Sequence, residues 1–313
     1  MGRIQDAMRK AASEEGAATL EVPVVPAGAG DAFPQEEAPA GRASLIRQDA
    51  NPAPDSAPAN ELPGDGPEVA PVDGVLSHLG PGLAAKVVID RSMAPIPREQ
   101  YRRLAAVLHH AQEANGLKVV MIASAAAGEG KSLTAANLAL TLSESYRRTV
   151  LLVDGDLRRP SLHTFFGVTP ESGLSDVLDA PGEPRLTLYD LSPTLTLLPA
   201  GRPTTDPMAG LTSVRMRSLV DEAREQFGWI IIDTPPVGAL SDANLLASMA
   251  DGVLLIIKAD ATPYHLVQRA IESLGSDRVL GTVLNRVSEK SLQSRYGYYY
   301  SYYASPRASG EVG

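Results

Sequence analysis

The sequence predicts an α/β domain with a mostly parallel central sheet flanked by helices. Three observations carry that prediction. Short apolar runs rich in β-branched residues recur at 119–122, 150–153, 229–232 and 253–257, with a fifth at 279–284 and a weaker one at 195–198. Each is continuous rather than alternating, as expected of strands buried on both faces. Helical stretches at 132–144, 211–226, 242–250 and 263–274 separate them, and strand–helix alternation builds a parallel sheet. The third observation is the run Ser-Ala-Ala-Ala-Gly-Glu-Gly-Lys-Ser at 124–132, which joins the first strand to a helix.

In element order, a helix is expected at 97–115, with Pro97 early and Leu104, Val107 and Leu108 on one face. Gly116 stops it. The strand at 119–122 then feeds the glycine-rich run. Its strand–loop–helix setting marks it as a phosphate-binding loop, because glycines let several N–H groups turn toward phosphate oxygens. The helix N-terminus adds partial positive charge, Lys131 adds a full one, and the Ser132 hydroxyl is a Mg²⁺ ligand. The expected phosphate cradle is Gly128, Glu129, Gly130, Lys131, Ser132 and Leu133. One departure stands out: Ala125 occupies the usual first glycine of G-x-x-x-x-G-K-[ST]. The domain is therefore a P-loop fold expected to bind a nucleoside triphosphate.

Ligands of such sheets sit beyond the carboxyl ends of the strands. Three strand ends carry chemistry: the phosphate loop, Asp-Gly-Asp-Leu-Arg-Arg at 154–159, and Asp-Thr-Pro-Pro at 233–236. Asp233 has the form of a Walker B aspartate holding Mg²⁺, although a strand-end Asp also serves as a cap or turn former. Asp154 and Asp156, two residues apart, point the same way if strand geometry continues. Like charges so close need a cation or a proton between them. One of the pair then orients or accepts the hydroxyl proton of a nucleophile. Arg158 and Arg159 are donors for phosphate oxygens or a partner's carboxylate, or else solvated surface charges.

The chain divides unevenly. Residues 1–80 hold ten of the 25 prolines, five basic and thirteen acidic residues, so most of the net charge of −9 lies there. Such a segment buries too little apolar surface to offset its chain entropy and is expected to be a disordered acidic stretch. Within it, Ile4, Ala7, Met8 and Ala11 follow helical spacing, the pattern of a short docking helix. Residues 81–288 form the expected ordered domain. There is no cysteine, which excludes disulfides and thiolate metal sites. No apolar run approaches a membrane span and no secretory core is visible, so a cytoplasmic protein is expected. No basic stripe supports nucleic-acid binding.

A flexible tail is expected at 289–313. Six of the ten tyrosines lie in it: Tyr296, Tyr298, Tyr299, Tyr300, Tyr302 and Tyr303. Tyrosine clusters also serve as stacking platforms for single-stranded nucleic acid, but the basic support here is poor. Phenols on a tether, in a chain that binds ATP beside paired carboxylates, suggest phosphoryl acceptors whose modification would add many negative charges.

From about Glu99 to Tyr303 the chain resembles the bacterial protein-tyrosine kinases that control polysaccharide polymerisation and export. The resemblance rests on the loop at 124–132, Leu-Leu-Val-Asp-Gly-Asp-Leu-Arg-Arg-Pro at 151–160, Ile-Ile-Ile-Asp-Thr-Pro-Pro at 230–236, Val-Leu-Asn-Arg at 283–286 and the tyrosine tail. It implies that Lys131 and Ser132 hold phosphates and Mg²⁺, that Asp154 and Asp156 form the second Walker motif, and that Asp233 completes the metal site. It implies that Asn285 reads the adenine edge.

The resemblance further implies a homo-oligomeric ring in which one subunit's tail enters its neighbour's active site. Phosphorylation would disassemble the ring and a tyrosine phosphatase would reset it. The chain resembles the stand-alone type, which is recruited to the inner face of the cell membrane by a membrane-anchored activator of the polysaccharide co-polymerase type. In the family's Glu-x-x-Arg-x-x-Arg contact helix, Glu99 and Arg102 fit while Ala105 takes the third position. The competing expectation is a ParA/MinD-like ATPase switch, which carries a lysine where this chain has Ala126 and lacks a tyrosine tail.

Overall fold

A computed structural model of the protein describes residues 44–49, 86–89, 93–182, 184–238 and 241–288. These belong to one unit, Ala40–Gly313. The other unit, Met1–Pro39, lies outside the described residues, as do the expected tail tyrosines at 296–303. The elements in chain order are β1 (Ser44–Asp49), α1 (Pro95–Asn115), β2 (Val119–Ser124), α2 (Lys131–Tyr146), β3 (Val150–Asp154), α3 (Leu162–Phe165) and α4 (Leu174–Asp179). Next come β4 (Arg185–Ser192), β5 (Leu195–Leu198), α5 (Met208–Thr212), α6 (Val214–Gln226), β6 (Trp229–Asp233), α7 (Asp242–Ala247), β7 (Gly252–Lys258), α8 (Tyr264–Leu274) and β8 (Val279–Asn285).

The strands form one sheet in the order β1-β4-β5-β3-β6-β2-β7-β8. Every pairing is parallel except β4 with β5. The three central strands β2, β3 and β6 are buried along their whole length, as their continuous apolar runs require. Alternate residues feed two separate cores, because side chains on a strand alternate faces. Val119, Met121, Leu151, Val153, Ile230 and Ile232 pack under α6, α7 and α8. Val120, Ile122, Val150, Leu152, Trp229 and Ile231 pack under α1 and α2. Helix α2 is buried from Thr134 to Ser143, so the helix that carries Lys131 at its start is locked between sheet and α1.

Several elements differ from expectation. The stretch 211–226 is two helices, broken where Ser213 turns its hydroxyl to accept from the Met216 N–H at 3.1 Å and caps α6. Strand β4 was not expected. It alternates rather than running apolar, with Leu186 and Leu188 buried, and it returns antiparallel to β5 through a turn in which Ser192 Oγ accepts from Leu195 N at 3.1 Å. The short helices α3 and α4 fill the connection between β3 and β4. Strand β1 lies inside the segment expected to be disordered and pairs with β4 from Ser44 opposite Arg185 to Asp49 opposite Asp190. Among the described residues no helix is long and apolar enough to cross a membrane.

Candidate active site

The parallel register brings the predicted residues to one edge of the sheet. Asp154 and Asp233 end adjacent strands as direct register partners, and Ile122, two residues before the phosphate loop, stands opposite Asp233 from the other side. Strand pairing therefore sets Asp154 beside Asp233 and brings the turn with Asp156 and the loop with Lys131 to the same edge.

The loop itself takes its path from glycine. Gly128 and Gly130 have φ of 78° and 94°, the left-handed region that side chains rarely adopt. Gly130 is doubly constrained, since a Cβ there would overlap the Asn285 side-chain amide. Ala125 is absent from the described positive-φ residues, which explains why it tolerates a side chain where glycine is usual. From Gly130 the helix starts, its carbonyl accepting from the Thr134 N–H at 2.9 Å.

Two of the expected nucleotide-binding residues, Glu129 and Asn285, brace the loop. Glu129 is buried, and its carboxylate accepts from the Ala126 N–H at 2.9 Å and from the Thr262 hydroxyl on the loop after β7. Asn285, at the end of β8, donates its amide to the Glu129 carbonyl at 2.8 Å. Its side-chain oxygen takes the Arg286 N–H at 2.9 Å. The resemblance assigned Asn285 to the adenine edge; here it supports the loop from behind. Leu133 packs against the α1–α2 core and fixes the first turn of α2.

Lys131 reaches across the acids. Its Nζ lies 3.2 Å from Asp156 Oδ2, 3.5 Å from Asp233 Oδ1 and 3.4 Å from Ser132 Oγ. One ammonium cannot neutralise three carboxylates, and for two of them burial adds to the cost of charge. Burial pushes Asp233 up to about 7, with Lys131 pulling the other way and Asp154 adding to the rise. Burial likewise pushes Asp154 up to about 6, opposed by N–H donors and reinforced by Asp156.

The three carboxylates have different neighbours. Asp154 Oδ2 accepts from the Ser161 and Leu162 N–H groups, both at 2.9 Å, and so caps α3. Asp156 Oδ1 accepts from the Arg159 N–H at 3.1 Å, leaving Oδ2 toward Lys131. Neither oxygen of Asp233 has a well-formed hydrogen-bond partner, although the residue is fully buried; the Lys131 ammonium, 3.5 Å from Oδ1, and the nearby Ser132 hydroxyl are its polar neighbours. An unpartnered buried carboxylate is costly unless something satisfies it.

That orphan is the test of fit for Mg²⁺. Among the described residues no group of three His, Cys, Asp or Glu is arranged to hold a metal unaided. Mg²⁺ does not ask for that. It is commonly held by one or two carboxylates, waters and the phosphates of its nucleotide. Ser132, Asp156 and Asp233 fit that role; Asp154 is engaged by backbone.

Arg158 differs from expectation. Instead of facing open solvent or the loop, its guanidinium grips Asp242 through Nε at 2.6 Å and Nη2 at 3.2 Å, and donates a third bond to the Thr205 carbonyl. The sequence reading missed Asp242 and Thr262, which carry no motif; their partners lie 84 and 133 residues away.

The profile of the CobQ/CobB/MinD/ParA nucleotide binding domain matches residues 120–300. The chain is 36% identical over 204 residues to the tyrosine-protein kinase YwqD of Bacillus subtilis, covering 64% of this chain and 85% of that one. It is 33% identical over 201 residues to the succinoglycan biosynthesis transport protein ExoP of Rhizobium meliloti, covering 58% of this chain and 25% of that one. Among solved structures, the kinase domain of the Escherichia coli tyrosine kinase ETK superposes with a TM-score of 0.55 at 28% identity, covering 59% of this chain and 73% of that one.

Proposed function

Because this chain belongs to the bacterial tyrosine kinases within the CobQ/CobB/MinD/ParA nucleotide-binding family, we propose that it is an ATP-dependent autokinase that phosphorylates the tyrosines at 296–303. The observation that carries the reading is the meeting of Lys131 with Asp156 and Asp233 at the mouth of the phosphate loop. Phosphoryl transfer needs positioning and charge neutralisation more than covalent chemistry, and this constellation supplies both. Mg²⁺ bound there would neutralise the phosphate oxygens in transfer.

The chain's own groups divide the work. In the nucleotide-bound protein Lys131 turns from the acids to the phosphates, with the loop N–H groups around it. Asp156 is the carboxylate placed to orient the acceptor phenol, because Asp154 is committed to the N-terminus of α3. The six tyrosines that follow β8 in the sequence are the acceptors, a reading supported by their place in the chain after a strand that ends at the nucleotide edge.

The process served is exopolysaccharide or capsule export, a reading supported by the name of the Rhizobium relative. Its partners are a membrane-anchored activator, a tyrosine phosphatase and further copies of the chain in a ring. The ring contact would use Glu99 and Arg102 on α1.

The test is phosphosite mapping by mass spectrometry on protein purified from cells, unaltered beside Lys131→Met. Phosphotyrosine confined to 296–303 and lost in Lys131→Met is the expected result. An unmodified tail in both, persisting after addition of the activator's cytoplasmic segment, would favour the ATPase-switch reading instead.

A further inference from the structure

Arg158 sits two residues past Asp156, yet the structure gives it a task away from the phosphate loop. Its carboxylate partner Asp242 opens α7, nine positions beyond Asp233, and only 2% of the Asp242 side chain is exposed. A buried carboxylate holds its charge only with a close, well-formed partner. The guanidinium supplies two parallel bonds to it and a third to the Thr205 carbonyl, a geometry that a planar fork satisfies and an ammonium does not.

The fork therefore ties three strand-end loops together. The β3 loop carries Arg158 and is held tight by Arg159 N–H bonds to the side chain and carbonyl of Asp156. The β5 loop joins through Thr205 and through the Thr204 N–H, which donates to the Leu157 carbonyl at 2.9 Å. The segment after β6 joins through Asp242. Behind the fork, Gly155 N–H donates to the Asp233 carbonyl at 2.8 Å, and a Cβ on Gly155 would lie 3.1 Å from Leu246 of α7. The turn that holds Asp156 is thus tied to the end of β6 by the Asp154–Asp233 pairing and the Gly155 bond, and to the start of α7 by the fork.

We propose that Arg158 and Asp242 are a positioning pair that fixes the spacing of Asp156 and Asp233 for Mg²⁺. The pair touches neither nucleotide nor acceptor. This inference rests on the metal site proposed above, and its measure is metal demand rather than kinase output.

The experiment is a titration of a fluorescent ADP analogue with and without Mg²⁺ on the full chain, comparing unaltered protein with Arg158→Ala, Arg158→Lys and Asp242→Asn. Thermal unfolding of each variant is recorded first. Outer-shell partners of metal ligands typically change metal affinity by about tenfold or more. The expected result is unchanged nucleotide affinity without Mg²⁺ and a half-saturating Mg²⁺ concentration raised about tenfold in Arg158→Ala and Asp242→Asn. Arg158→Lys should restore the unfolding temperature but not the metal demand, because one ammonium cannot hold both carboxylate oxygens and the carbonyl.

Wild-type metal demand in folded Arg158→Ala overturns the proposal; if that variant does not fold, wild-type demand in Arg158→Lys does so equally. Loss of nucleotide affinity at every Mg²⁺ concentration also overturns it, since Arg158 would then be a direct phosphate ligand. The titration needs no phosphoryl transfer, so a chain without kinase activity still reports on the pair. Unaltered protein that shows no Mg²⁺ dependence at all would sink the metal site itself.

Discussion

Replacing Asp233 by asparagine should make the nucleotide-free protein more stable while abolishing its response to Mg²⁺·nucleotide. The carboxyl is fully buried, neither oxygen has a hydrogen-bond partner, and burial lifts its pKa from the ordinary 3.8 to about 7. Between about pH 4 and pH 7 the native protein holds a proton on Asp233 that the unfolded chain has released. Stability therefore falls as pH rises through that window and stays low above it. A shift of about three pH units at about 1.4 kcal/mol each bounds the effect near 4 kcal/mol, and relaxation around the charge brings the expected gain to about 2–4 kcal/mol. For a domain of this size that is a rise of about 5–15 °C in unfolding temperature.

The assay is thermal unfolding in chelator at pH 5, 6.5 and 8. Asp233→Asn and unaltered protein should agree closely at pH 5, where the native carboxyl is already neutral, and diverge at pH 8 with the variant higher. Saturating Mg²⁺·ADP should then raise the unaltered protein and leave the variant in place. A variant less stable than the unaltered chain at pH 8, or one with the same slope against pH, would refute the reasoning.

Three further outcomes rest on the same geometry. Gly130→Ala forces a side chain into the left-handed region and against Asn285; it should cost about 1–3 kcal/mol in urea unfolding and remove measurable ADP binding. Mg²⁺-dependent ADP affinity should rise with pH and level off above about 7, because Asp233 must shed a proton at about 7 to hold the metal. Calorimetry in buffers of different ionisation enthalpy would show that proton release below pH 7 and its absence at pH 8. Arg215→Ala should destabilise by about 1–3 kcal/mol without altering ADP affinity, since among the described residues its guanidinium serves the carbonyls of Val177, Ala180 and Gly182 at 2.9, 2.6 and 2.5 Å.

The buried strands were legible because a parallel sheet covered on both faces demands continuous apolar runs, and 119–122, 150–153 and 229–232 supply them. The loops at the carboxyl ends of those strands were legible too, because strand direction alone sends them to one edge. Strand β4 escaped notice because Arg-Leu-Thr-Leu-Tyr-Asp-Leu-Ser has the alternation of a half-covered strand and is bracketed by Pro184 and Pro193. Strand β1 escaped because its partner lies far along the chain and its surroundings are rich in proline. The role of Arg158 could not be read locally: a guanidinium beside Asp156 looks like a phosphate donor until Asp242 is brought to it by the fold.

The same limit applies with more force to the three aspartates, which are chemically identical in sequence and divide by environment in the structure. Asp154 is surrounded by N–H donors at the start of α3, so its charge is answered by backbone and its place is fixed. Asp156 sits in a turn held by Arg159 and shares Lys131, so it is buried next to the loop with one oxygen on the turn backbone and the other on the ammonium. Asp233 is fully buried with only the Lys131 ammonium, 3.5 Å away, to answer its charge, so its pKa is raised furthest and neither oxygen has a hydrogen-bond partner. Different surroundings separate the roles of like groups, and the separation predicts an order of sensitivity. Neutralising Asp154 should chiefly loosen α3, neutralising Asp156 should chiefly slow transfer, and neutralising Asp233 should remove the metal response while relieving the fold. A site assembled by strand register alone would have treated the three acids alike; the hydrogen bonds after each strand end make them different.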